Sequence, residues 1–524
     1  MTRPCRPARR STSSTTKASG RTPTGSRPGC CPSAARSSAR ASASRHSRRA
    51  TSRTCRRACR RNPSTSSSSR TAASCRSSRS RPATVPHPEN GAPVTRAAVR
   101  RHTLALGPIL ACAALVRIAW ILRFHPTPTD GRFDDTVWYR VAAHYFAAGD
   151  GYVNPYTGTP TAAWPPGYPV TLGAVFKLFG EGNWTAYGFN VALAVLTVAV
   201  VYWIGLAAFG RPTAIVGAFA VALWPGQVYF ASLTLSEPLF TLLFTTGVLL
   251  IVLAPKASRG RGPQLVSLGI VTGLAALTRG QALVLLPLAL LAWRFEAHRW
   301  RPAIGWVMLA ALATGVVLAP WVARNQRELG SPVIIATNLG PNVWIGNHAD
   351  ATGRMQIPES EPPLPERGDM TQPEFEVAAD RLALRKGLGY AFTHPVDELR
   401  LAGSKVRAMY ESDATALDWN SGYHPGFYDS PSEERWLRGA ANGFWFVALA
   451  LAGLGLIASR ERAAGMLAVL MLLWTAGHLP FFGDARFHYP IVFAVALLAA
   501  RGIVVLLEAV RRPQPSLSRR YARA

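Results

Sequence analysis

The chain has 524 residues, 48% of them hydrophobic, with 15 tryptophans and a formal net charge of +30 at pH 7. Length alone suggests several soluble domains, but apolar runs of about 18 to 25 residues recur from Thr103 onward, long enough to cross a ~30 Å hydrocarbon core as helices. That patterning excludes an ordinary soluble enzyme, and no GxxxxGK[ST], GxSxG or HExxH motif is present to mark a phosphate loop, a serine-hydrolase elbow or a zinc-protease helix.

Residues 1–101 carry most of the excess charge. They hold many arginines, one lysine (Lys17) and a single acid, Glu89. Ser, Arg, Ala, Pro and Thr dominate, and large apolar residues are almost absent, so the arm reads as disordered rather than as a nucleic-acid-binding module. Six of the seven cysteines lie in it, but Cys55 and Cys59 lack a second ligand pair at metal spacing. No methionine occurs between Met1 and Met308. The expectation is a misassigned start, with translation beginning near Val85, Val94 or Val99.

Next come the apolar segments. Spanning helices are expected at 103–124, 184–209, 212–232, 236–254, 265–278, 281–293, 303–322, 438–458, 464–482 and 489–510. The fold class is an all-α polytopic membrane protein with about 10 transmembrane helices, an interfacial helix in its first outer loop, and a small mixed extracytoplasmic segment. The expected divisions are a core over 102–322 with that loop at 125–183, an outer segment over 323–437, further spans over 438–510 and a basic tail over 511–524. Basic connections around Arg211, Lys256 to Arg261, Arg294 to Arg301, Arg460 to Arg462 and the tail share one side if the short apolar run 166–180 does not cross. The run is therefore re-entrant or interfacial, and both termini are cytoplasmic.

The first outer loop, Phe133 to Pro169, is polar, acidic and aromatic. Asp134-Asp135 opens a helical pattern whose apolar face is Trp138, Tyr139, Ala142, Ala143, Tyr145 and Phe146. Adjacent helical positions point about 100° apart, so one aspartate is free to cap the helix while the other faces a site. A carboxylate there suits a general base or a hard-oxygen ligand for a divalent cation; no cofactor is certain, and a cation at Asp134 or Asp135 is the open alternative. The rigid run Trp164-Pro165-Pro166-Gly167-Tyr168-Pro169 follows.

Several further residues reach the same outer face. Glu237, after Ser236 at a span start, fits either a capped helix start with Ser236 as N-cap or a charge paired with Arg279. Arg279, Arg324 and Arg486 stand at outer helix ends, where guanidinium forks suit phosphate oxygens. His488 lies two residues after Arg486. In the outer segment, 331–347 has strand or turn character, 353–370 is Pro- and acid-rich and mobile, 373–393 is helical, and 397–410 is a second, amphipathic helix.

These residues in this order resemble the GT-C superfamily of membrane glycosyltransferases. Within it they resemble the protein-mannosyltransferase and aminoarabinose-transferase type, in the RgtA-like bacterial branch. The resemblance rests on Asp135-x-x-x-Tyr139, the WPPGYP run, Ser236-Glu237-Pro238, GLAALTRG around Arg279, Pro320-Trp321-x-x-Arg324-Asn325, Thr337-Asn338-x-Gly340-x-Asn342, and Arg486-Phe487-His488-Tyr489-Pro490. It covers roughly 103–510. It implies a polyprenyl-phosphate sugar donor, inversion at the anomeric carbon, and a glycan, lipid or protein acceptor outside the cytoplasmic membrane, with no nucleic-acid partner. It also implies a catalytic Asp135, with Asp134 second, and phosphate-facing Arg279 and Arg486. Tyr139, Pro166, Tyr168, Glu237, Arg324 and His488 join them as expected substrate-binding residues. A lipid or sugar transporter, or a non-catalytic assembly protein of the same fold, is the rival reading.

Overall fold

Hydrophobic runs too long for a soluble core become helices wherever Pro or Gly does not interrupt them. In the computed structural model, residues 96–125, 134–256, 261–356, 363–423 and 426–511 are described, all within one compact unit, Glu89–Ala524. The expected arm up to residue 95, part of the Pro- and acid-rich stretch (357–362) and most of the basic tail lie outside the described residues.

Seventeen α-helices follow in order among the described residues. The first ten are α1 (Arg96–Arg123), α2 (Asp135–Ala148), α3 (Gly167–Phe179), α4 (Asn183–Phe209), α5 (Arg211–Leu223), α6 (Pro225–Tyr229), α7 (Glu237–Leu253), α8 (Arg261–Ala276), α9 (Leu285–Ala297) and α10 (Trp300–Glu328). The outer segment contains α11 (Leu339–Gly346), α12 (Gln372–Thr393), α13 (Pro395–Tyr410) and α14 (Thr415–Tyr423). The chain returns through α15 (Pro431–Ala458), α16 (Arg462–His478) and α17 (Val492–Arg511). Among the described residues there are no strands beyond two isolated bridges, Val153 with Pro160 and Arg354 with Gly483.

Every expected span is occupied by a helix, though not every one is a long, unbroken apolar helix. Among the described residues six helices are long and apolar enough to cross a membrane, seven if the bent pair of α5 with 225–232 is one span. The protein is an all-α, multi-pass membrane protein. The expected span 212–232 is not one straight helix. Its two parts meet at 50°, because Pro225 lacks the N–H that would continue α5 and forces Trp224 into an extended conformation (φ −63°, ψ 115°). The carbonyls this break would orphan find a partner in the bundle: the buried Arg117 of α1 donates to Ala222 O at 2.9 Å and Val221 O at 3.4 Å. A cation at a helix C-terminus also meets the negative end of the helix dipole.

The core runs through the middle of α17. Val492 to Ala500 are all buried, against α15, α5 and α4, as befits a helix that is apolar on every side. Close backbone approach explains two glycines nearby. A Cβ on Gly455 would lie 1.9 Å from Leu498 O, and one on Gly502 would lie 2.4 Å from Leu451 O. A second core cluster joins α2, α3 and the 228–235 turn. There α2 buries Trp138, Tyr139, Ala142 and Ala143, the face its periodicity requires. The 13-residue α3 is only ~20 Å long and packs on α2, α4 and α8. The outer segment departs from expectation: 331–338 is irregular, and 339–346 is the helix α11. A short apolar run with Gly and Asn does not separate helix from strand by periodicity.

Candidate active site

The first turn of α2 separates the two aspartates. Asp134 is the N-cap: its Oδ1 accepts from the N–H groups of Thr136 at 3.0 Å and Val137 at 3.1 Å, and from the Thr136 hydroxyl at 2.8 Å. Asp135, rotated away, turns toward the bundle. Its Oδ2 accepts from Arg486 Nη1 at 2.7 Å, and its Oδ1 accepts from Trp164 Nε1 at 3.2 Å.

Both donors are themselves held. Arg486 sits in the 3₁₀ turn Ala485–Ile491, where Asp484 Oδ1 accepts its N–H at 2.8 Å, and its guanidinium lies 5.2 Å from the Trp419 ring centroid. Trp164 stacks on Trp138 with ring centroids 4.0 Å apart, and its carbonyl accepts from the Tyr152 hydroxyl at 2.8 Å. A planar fork on one oxygen and an indole N–H on the other leave the Asp135 carboxylate little rotational freedom.

A second, more deeply buried charge pair backs the first. Arg279, after α8, reaches Glu237 Oε1 at 2.5 Å, and Glu237 is 1% exposed. Among the described residues Glu237 Oε2 accepts no hydrogen bond. An isolated carboxylate there would be costly, so the pair is the condition for burying it. Ser236 is at the N-cap position of α7 but makes no side-chain cap. Its Oγ instead accepts long bonds, both 3.4 Å, from Tyr139 OH and Arg279 Nη1. Burial, reinforced by the nearby Asp135 carboxylate, pushes the Tyr139 phenol above its usual range, so it acts as a donor.

These groups open onto a cavity of about 910 Å³. Asp135, Tyr139 and Trp164 form one wall and Arg279 with Gly280 another; Arg486 and Phe487 close the end, and 331–339 with Asp380 and Arg381 of α12 face them. Three arginines (279, 381, 486) and two carboxylates (135, 380) line it. Arg381 was not legible as a site residue, since it reads as one more charge on an amphipathic helix. Its Nη2 donates to Ser331 Oγ at 2.6 Å, and among the described residues no carboxylate lies within ion-pair distance of it. Burial pushes the neighbouring Asp380 carboxyl upward, against the lowering effect of the Gly340 N–H that donates to it at 2.6 Å.

Five other expected substrate-binding residues and Asp134 stand behind this wall and do not line the cavity. Pro166 starts α3. Tyr168 is fully buried, edge-on to Tyr139 at 5.4 Å, and donates to Asn190 Oδ1 at 3.3 Å. Glu237 is covered by Arg279. Arg324 donates to Tyr152 O at 2.6 Å and Thr161 O at 2.7 Å, which bends the first outer loop around α10 instead of presenting a fork to a ligand. His488 is enclosed: Nε2 faces Asp413 Oδ1 at 2.9 Å, Nδ1 faces Met409 O at 2.7 Å, and the ring stacks on Trp445.

A divalent cation, left open at Asp134 or Asp135, would meet oxygens that are already partly engaged. Asp134 spends Oδ1 on the cap, and Asp135 has a guanidinium 2.7 Å from one oxygen. Among the described residues no group of three or more His, Cys, Asp or Glu is arranged around a common point.

Comparison with known proteins places the middle of the chain. The family model for dolichyl-phosphate-mannose-protein mannosyltransferases matches residues 163–323. That range holds Trp164, Glu237 and Arg279 but neither Asp135 nor Arg486. The undecaprenyl phosphate-alpha-4-amino-4-deoxy-L-arabinose arabinosyl transferase of Edwardsiella ictaluri is 29% identical over 216 residues, 39% of this chain and 39% of that protein. The match thus spans about two-fifths of the curated relative. Among solved structures, ArnT from Cupriavidus metallidurans bound to undecaprenyl phosphate is 15% identical with a TM-score of 0.37, covering 76% of this chain and 78% of that one. The oligosaccharyltransferase AglB from Archaeoglobus fulgidus, in complex with an inhibitory peptide and a dolichol-phosphate, is 16% identical with a TM-score of 0.45, covering 78% and 51%. The two sequence matches bear out the resemblance to GT-C glycosyltransferases drawn from the motifs.

Proposed function

We propose that this protein transfers a hexosyl or pentosyl group from a polyprenyl-phosphate donor to an acceptor hydroxyl, with inversion, at the outer face of the cytoplasmic membrane. The observation that carries the reading is the Asp135 carboxylate, fixed by Arg486 and Trp164 on the wall of a cavity that also presents Arg279 and Arg381. The acceptor O–H gives its proton to Asp135. The oxygen forms a bond to the anomeric carbon from the face opposite the phosphate. The carbon–oxygen bond to the phosphate breaks, its electron pair leaves with the polyprenyl phosphate, and guanidinium groups meet the developing charge. The matched mannosyltransferase family and the similar arabinosyl transferase are both named for polyprenyl-phosphate carriers, which supports the donor class. The positive-inside pattern supports the outer face. The engagement of both Asp135 oxygens supports a reaction in which no divalent cation sits at Asp134 or Asp135.

The test compares membranes holding the parent chain with membranes holding Asp135→Asn at equal abundance, on a panel of polyprenyl-phosphate sugars with envelope fractions as acceptors. Release of polyprenyl phosphate by the parent and a loss of ~100-fold or more in the variant is the expected result. A folded parent that consumes no donor with any acceptor fraction overturns the reading. An Asp135→Asn variant that keeps its rate overturns the choice of base.

A further inference from the structure

Three helices of the bundle lead from the Asp135 cavity to a second cavity at their other ends. Helix α7 starts at Glu237 beside Arg279, α9 follows the Arg279 turn, and α16 reaches the first cavity at Gly477. Over its 17 residues α7 rises about 25 Å, close to the ~30 Å of a hydrocarbon core. The two cavities therefore open near opposite faces of the membrane.

The second cavity encloses about 770 Å³, within the ~300–1,000 Å³ typical of ligand pockets. Its floor is apolar, with Ile251, Leu288, Met466 and Val469. Its rim is basic, with Lys256, Arg294, His298 and Arg462. Among the described residues one acid, Glu461, lines this rim and pairs with Arg501 at 2.8 Å, and Lys256 Nζ also donates to Ala207 O. Arg294 lies 5.1 Å from the Trp300 ring centroid, and among the described residues its buried Nε has no hydrogen-bond partner. Phe295 and Trp300 beside it are 64% and 49% exposed, large apolar groups suited to a bilayer interface. The same basic connections assign this end to the cytoplasm.

An apolar floor beneath a basic rim, between spanning helices on the cytoplasmic side, matches one chemistry: a lipid with an anionic head. A soluble phosphate would leave the floor uncovered, and a zwitterionic head would bring its own cation to the rim. We propose that this cavity binds one anionic glycerophospholipid of the inner leaflet, of the phosphatidylglycerol class. Its phosphate lies among Lys256, Arg294 and Arg462, and an acyl chain lies along Ile251, Leu288 and Val469. The site is separate from the Asp135 cavity and stands whether or not that cavity performs glycosyl transfer.

The test uses the full chain in mild detergent, exposed to equal amounts of phosphatidylglycerol and phosphatidylcholine, with bound lipid read by native mass spectrometry. The expected result is one retained phosphatidylglycerol in preference to phosphatidylcholine. At roughly 1 kcal/mol per cation near an anionic lipid surface, Lys256→Gln with Arg294→Gln lowers retention about tenfold or more. Gly465→Phe blocks the floor without changing charge. Gly465 lines the cavity, and a Cβ there meets nothing within 4 Å, so this variant decides the matter if the double variant fails to fold. Arg381→Gln, at the other cavity, where the arginine has no carboxylate partner among the described residues, keeps the lipid. Equal retention of the two lipids overturns the proposal. So does full retention of phosphatidylglycerol in Gly465→Phe, or its loss in Arg381→Gln alone.

Discussion

Asp134 and Asp135 divide the work of one helix start. Asp134 holds the backbone of the first turn, and Asp135 holds a guanidinium and an indole at the cavity. Asp134→Ala removes an N-cap and is expected to cost about 1 kcal/mol of stability, read as a lower melting temperature, with most transfer activity retained. Trp164→Phe keeps the ring that stacks on Trp138 but removes the N–H on Asp135 Oδ1. A hydrogen bond to a charged group is worth ~1.5–3 kcal/mol, so the expected result is a kcat lower by roughly tenfold or more with KM near the parent value. A change confined to KM would mean that Trp164 shapes the cavity and does not orient the carboxylate. Treatment with a chelator is expected to leave the parent rate unchanged; loss of activity restored by one divalent cation would show a metal role that the donor set around Asp135 does not supply.

At the scale of elements, the cavity depends on ties between segments far apart in the chain. Glu376 of α12 is one such tie: its carboxylate accepts from Thr161 Oγ1 at 2.6 Å, the Ala162 N–H at 2.9 Å and Thr337 Oγ1 at 2.5 Å. It binds the first outer loop to the 331–338 segment, and both lie against the cavity. Glu376→Ala is expected to cost about 2 kcal/mol or more, since hydrogen bonds to a charged group are worth ~1.5–3 each. Faster proteolysis within 331–338 is the readout; protection equal to the parent would show that the segment is held by packing alone. Such ties mark the limit of what patterning reveals. Run length located a helix at every expected span, and period 3.6 gave the buried face of α2. The break at Pro225 was visible as a residue but not as a bend, because whether a Trp-Pro step kinks a span depends on who receives the freed carbonyls, here Arg117. The site divides the same way. Asp135, Arg279 and Arg486 were legible from motif order, whereas Arg381 required knowing that α12 folds back over the first outer loop. Arg324 and His488 carry motif-like surroundings but spend their polar atoms inside the protein.

At the scale of the whole molecule, the outer segment is joined to the bundle through a buried lysine. Lys405 of α13 is 1% exposed, and its ammonium donates to Asn347 Oδ1 at 2.8 Å, Leu479 O at 2.9 Å and Glu398 Oε2 at 3.2 Å. Three donors meet three acceptors, which is what allows the charge to be buried. Leu479 begins the turn that leads from α16 to Arg486, so the segment covering the cavity and the arginine on the base are braced at one point. That arrangement fixes a polarity for the molecule: Asp135, the outer segment and Arg486 lie at one end of the spans, and Lys256, Arg294 and Arg462 lie at the other. If the basic end is cytoplasmic, a single thiol added at each end reports opposite sides of the membrane. Thr157 in the first outer loop and Arg299 between α9 and α10 are both exposed. Measured against the parent as baseline, Thr157→Cys is expected to react with a membrane-impermeant maleimide in intact cells, and Arg299→Cys only after the membrane is opened. The reverse pattern would put the Asp135 cavity in the cytoplasm and remove the outer-face acceptor from the proposed reaction. Labelling of both in intact cells would mean that the ~25 Å rise of α7 is not a crossing, because two ends of a spanning bundle cannot share one compartment.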